Sequence, residues 1–177
     1  MKKQIRHPVS TEQAERERKA VETQTQEEQA AVMLYVLRDK WGYGTKRLHR
    51  VWEAYKEIGN STARMKREKI LELIHSAGEL TGDKRLLRWD PLRGGGIRVR
   101  DSVELRRYCN QGRADMRDMS MAITLLAMRK YVKFGRVRLR RLLGQLRDTT
   151  DSIDRHIISV EDITTTLYEE KRIVITE

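Results

Sequence analysis

A chain that carries one helical unit twice must fold as two similar bodies around a common core, and this chain repeats itself at a constant offset of 91 residues, from Gly44 to Gly135. Without a gap, residues 31–38 lie over 122–129 and residues 43–52 over 134–143, and the match runs on to Ser61/Ser152 and Arg64/Arg155. Both copies keep a glycine, an apolar helix face and the arginines Arg38/Arg129, Arg47/Arg138, Arg50/Arg141 and Arg64/Arg155. A unit of about 50 residues is near the lower limit for folding alone, so the two copies are expected to share their interior.

The segments 30–37 and 121–128 are apolar all round, as befits the central helices of a bundle. Ser10-Thr11-Glu12-Gln13 has the form of a capping box, and no Gly or Pro follows before Lys40, so one long helix is expected to lead into the first central segment. Each central helix then breaks, at Trp41-Gly42-Tyr43-Gly44 or at Val132-Lys133-Phe134-Gly135, where glycine is expected to supply the left-handed or tight turn that ends a helix. A second helix follows. Its apolar stripe is Leu48, Val51, Trp52 and Tyr55 in one copy and Leu139, Leu142, Leu143 and Leu146 in the other. A third, shorter helix closes each unit, over 67–80 and 159–170, with a slip of two residues between the copies.

Residues 81–100 read differently. The turn pair Asp90-Pro91, the triplet Gly94-Gly95-Gly96 and the alternation Ile97-Arg98-Val99-Arg100 predict a short β-ribbon, and the tail 172–175 one more strand. The fold expected is therefore mainly α: an internally duplicated helical bundle with a small β-ribbon insert between the repeats. Its parts are an N-terminal helical arm over 1–29, the first unit over 30–80, a basic insert over 81–118 and the second unit over 119–177.

Charge narrows the function. The net charge is +11 and the pI near 10.0, an excess that draws nucleic acid or another anionic surface. Residues 1–29 balance six Lys/Arg against six Asp/Glu, whereas 129–147 hold eight basic residues and no acid. Arginine's planar fork suits phosphate oxygens and base edges, and a helix N-terminus favours an anion. The candidate nucleic-acid-binding residues are thus Lys46, Arg47 and Arg50 in the first unit, Arg136, Arg138, Arg140 and Arg141 in the second, and Arg93, Arg98 and Arg100 on the insert. The competing account has these arginines covering the core and pairing with Glu53, Glu57 or Asp148. Trp41, Tyr43 and Trp52 coincide with apolar positions of the other copy and are assigned to packing.

No catalytic constellation stands out. His7, His49, His75 and His156 lack metal-ligand spacing, the single Cys109 excludes an internal disulfide, and no cofactor motif is present. Asp83, Asp90 and Asp101 could serve a metal-dependent nuclease only if the fold gathered them. The longest apolar run, 30–37, is too short to span a bilayer, and Met1-Lys2-Lys3 leads into polar sequence, so a cytoplasmic protein is expected.

The stretch Trp41-Gly42-Tyr43-Gly44-Thr45-Lys46-Arg47-Leu48-His49-Arg50, and more loosely Phe134-Gly135-Arg136-Val137-Arg138-Leu139-Arg140-Arg141, resembles small helical proteins of phages and prophages of Gram-positive bacteria. The resemblance covers about a third of the chain and departs in the duplication and the glycine-rich insert. It implies a phage accessory protein in a bacterial host cell and no defined activity. The sequence as a whole points to a non-enzymatic nucleic-acid-binding protein, with DNA ahead of RNA as partner. The alternative is an anti-CRISPR-like inhibitor that binds a host or phage nucleoprotein complex.

Overall fold

A computed structural model of the chain describes residues 9–90 and 99–171. Its elements are all helices: α1 (Thr11–Asp39), α2 (Thr45–Ala63), α3 (Arg67–Thr81), α4 (Lys84–Leu87), α5 (Ser102–Tyr131), α6 (Arg136–Asp154) and α7 (Val160–Lys171).

The long helices α1 and α5 begin at Thr11 and Ser102, again 91 residues apart, well before the stretch in which the sequences match. Each is opened by a side-chain cap at the equivalent position. Ser10 Oγ accepts from Gln13 N at 3.1 Å, and Asp101 Oδ1 accepts from Val103 N and Glu104 N at 2.9 and 3.0 Å. Arg18 on α1 meets Tyr108, Gly112 and Asp115 on α5, while Trp41 at the far end meets Phe134, so the two helices run side by side and parallel. Their C-terminal halves, including Met33, Leu34, Leu37, Leu125 and Met128, are buried and form the core.

The remaining helices cross over. α2 and α3 pack on α5, α7 packs on α1, and α6 packs on both long helices and on α3, so each unit lays helices on the other unit's long helix. The buried residues of both units form one cluster, which meets the expectation of a shared interior. α2 and α6 are both 19 residues long and keep the 91-residue offset at both ends. The offset becomes 93 at α3 and α7, where Ile74 and Leu167 fill matching buried positions.

The breaks meet the expectation of a left-handed glycine in the first unit and differ from it in the second. Gly44 and Gly135 are N-caps of α2 and α6 with φ of −76° and −78°, values open to any residue. The left-handed positions are Gly42 and Lys133. They let Tyr43 N donate to Leu37 O at 3.0 Å and Phe134 N to Met128 O at 3.2 Å, bonds that tie off both long helices in the same way.

The β-ribbon is a correction. No strand occurs among the described residues, and the start of the expected ribbon is the helical turn α4. Gly82 ends α3 in a left-handed cap, and Asp83 Oδ1 then accepts from Arg85 N and Leu86 N, which sets the chain turning again at once. Leu86 is fully buried, and α4 lies so close to α3 that a Cβ on Gly78 would stand 2.9 Å from Leu87 N. Local capping and one buried leucine thus outweigh the turn signals of Asp90-Pro91. The glycine triplet and the strand expected at 172–175 lie outside the described residues.

Candidate nucleic-acid interface

The crossed packing brings the two breaks together. Trp41 of the first break lies against Phe134 of the second with ring centroids 4.8 Å apart, and its Nε1 donates to Gln145 Oε1 at 2.8 Å. The first turns of α2 and α6 therefore stand on either side of a single open groove of about 1110 Å³. Arg47, Arg50, Arg138 and Arg141 all line it.

Three of these guanidinium groups rest on aromatic rings. Arg47 sits 5.8 Å from the Tyr43 centroid, and Arg138 sits 5.7 Å from Phe134, the same contact at equivalent positions. Arg141 lies 5.6 Å from Trp41, across the junction between the units. For Arg47 and Arg138 the ring lies four residues earlier, just before the helix begins, where it meets the guanidinium at little entropic cost. Tyr43 is held between Arg47 and Arg138: burial pushes its hydroxyl pKa up, and the two cations pull the other way.

None of the four arginines has a carboxylate partner among the described residues. Two of the acids named by the competing account, Glu53 and Glu57, have other partners. Glu53 pairs with Lys56 at 2.7 Å, and Glu57 accepts from the Tyr131 hydroxyl and from Lys130, which hold its pKa below the ordinary carboxylate value. Glu53 and Glu57 line the same groove, and each pairs with a group other than the four arginines.

The other sequence candidates lie elsewhere. Arg136 and Arg140 project from the opposite side of α6 toward the end of α3. Arg140 Nε donates to Thr81 O at 2.8 Å, and one terminal nitrogen of each guanidinium stands 3.2 Å from where a Cβ on Gly82 would sit. They serve as cations at a helix C-terminus. Lys46 is exposed on the first turn of α2, outside the groove lining. Arg100 precedes α5 at the end away from the groove, roughly 45 Å distant at 1.5 Å per helical residue. Arg93 and Arg98 lie outside the described residues.

The eight basic residues of 129–147 thus divide by task. Arg129 donates to Phe134 O at 3.1 Å, Lys130 pairs with Glu57, and Arg147 forms a two-pronged pair with Asp83 between α6 and α4. Sequence reasoning assigned Tyr43 and Trp41 to packing and passed over Val137, which lines the groove and is 82% exposed. The four-residue spacing from ring to arginine, present in both copies, is the signal that marks this site.

No grouping of three or more metal-ligating side chains occurs among the described residues. Asp83 caps α4, Asp101 caps α5, and Asp90 pairs with Arg67 at 3.2 Å. No described helix is long and apolar enough to cross a membrane. Comparison with protein-family models, with curated proteins and with solved structures finds no match to the chain.

Proposed function

We propose that this chain is a non-enzymatic nucleic-acid-binding protein that takes the phosphodiester backbone, DNA ahead of RNA, into the groove where Arg47, Arg50, Arg138 and Arg141 converge. The observation that carries this reading is the convergence of two arginines from each unit in one groove, whose two lining carboxylates, Glu53 and Glu57, pair with Lys56 and with Tyr131 and Lys130 and not with these arginines. Such a cluster costs repulsion in the free protein and is relieved by an anion. The net charge of +11 adds long-range attraction of the same sign. The phage setting implied by the sequence around Trp41 and Arg50 belongs to this proposal and rests on that short motif alone.

The test is a salt titration. Arg47→Ala combined with Arg138→Ala should reduce the slope of log Kobs against log salt by about 1.4 to 1.8 units, the release expected from two lost phosphate contacts. An unchanged slope and affinity would turn the reading toward a protein partner.

A further inference from the structure

Resting on the nucleic-acid reading, we infer that the groove receives a single strand, with phosphates on the arginines and bases packed on its apolar floor and rim. Three observations carry this.

The first is spacing. A duplex-reading pair of helical units sets its recognition helices about 34 Å apart to reach successive turns of the major groove. Here the units touch through Trp41 and Phe134, and Tyr43 feels both Arg47 and Arg138. The cationic turns of α2 and α6 share one cleft and do not straddle two half-sites.

The second is chemistry. Beside the arginines the lining carries an apolar share, Val51, Ala54 and Val132, together with His49 and the carboxylates Glu53 and Glu57, which are held by Lys56 and by Tyr131 and Lys130. Val137, 82% exposed, and Tyr131, 42% exposed, stand at the sides. Val137 occupies the position that Lys46 holds in the first unit, so an apolar residue stands where a phosphate contact would call for a cation. A duplex presents phosphates and shields its base faces. A single strand presents both, and base packing together with a basic track is how such strands are held.

The third is size. At about 1110 Å³ the groove is on the scale of a small-molecule cleft, which suits a few linked nucleotides entering edgewise.

Trp41 lines the groove and reports on its occupant. Three probes of equal length, about 12 units, separate the contributions: an oligothymidylate strand, the same sugar-phosphate chain without bases, and a duplex. The strand with bases should bind on the order of 10-fold tighter than either other probe and quench tryptophan fluorescence, with the quench lost in Trp41→Phe. Val137→Glu, at a site that makes no core contact, should cancel the preference at an unchanged melting temperature. Equal binding of all three probes would overturn the single-strand assignment while leaving the backbone-binding reading intact. Binding of none of them would overturn both.

Discussion

Gly42 and Lys133 hold the same left-handed turn position in the two units, at φ of 64° and 60°. The glycine adopts it freely, whereas a side chain there costs about 1 kcal/mol. The second unit thus carries a strained lysine at the edge of its cationic turn. Lys133→Gly should raise the melting temperature by roughly 2–4 °C, and Gly42→Ala should lower it by a similar amount. Thermal melts of the two variants check this, and a destabilising Lys133→Gly would show that the lysine makes contacts worth more than its strain.

Arg136 and Arg140 are expected to stabilise the fold rather than the complex. Because Arg140 donates to the Thr81 carbonyl at the end of α3, Arg140→Ala should cost about 1 kcal/mol and weaken strand binding less than Arg138→Ala does. Parallel melts and binding titrations of the two variants would separate them. Equal losses of affinity at unchanged stability would return Arg140 to the interface.

The acid limb of stability should be set by two carboxylates. Asp83 lies below its ordinary value of 3.8, first through hydrogen bonds from Arg147, and Asp154 is lowered by the two-pronged bond from Arg117, at 2.7 Å to each oxygen. A lowered folded value gives stability that is full above 3.8 and is lost as pH falls through the folded value. Asp118 acts in the opposite sense: burial raises its pKa, so its contribution is greatest below 3.8 and fades as pH rises. Asp83→Asn should lower the melting temperature at pH 7 by roughly 2–4 °C and flatten its decline between pH 5 and 2. Melting curves that stay parallel across that range would remove Asp83 from the acid transition.

The duplication, the central helices and the arginine pairs were legible because helical period and repeat offset are local signals. The crossing of α2 onto α5 and the seating of α6 against both long helices were not, since either packing buries the same stripes. The ribbon was misjudged for a related reason. Asp90-Pro91 and the glycine triplet are strong turn signals, but Asp83 capping α4 and Leu86 burying against Gly78 depend on the approach of α3, which periodicity cannot show. Likewise a run of eight basic residues reads as one surface until the helix divides it, with Arg138 and Arg141 on the groove and Arg136, Arg140 and Arg147 turned to α3 and α4.

That division decides the balance between the units. By residue count the second unit should dominate binding, with Arg93, Arg98 and Arg100 adding to its face. In the fold, Arg129, Lys130, Arg136, Arg140 and Arg147 have protein partners or neighbours, and Arg100 stands at the far end of α5. Each unit is left with two arginines in the groove. Arg47→Ala with Arg50→Ala should therefore weaken binding of one short strand as much as Arg138→Ala with Arg141→Ala, within about twofold, and each pair should lower the salt slope by about 1.4 units. Paired titrations at two salt concentrations measure this directly. A loss at least tenfold greater for the second pair would show that its additional cations reach the ligand after all.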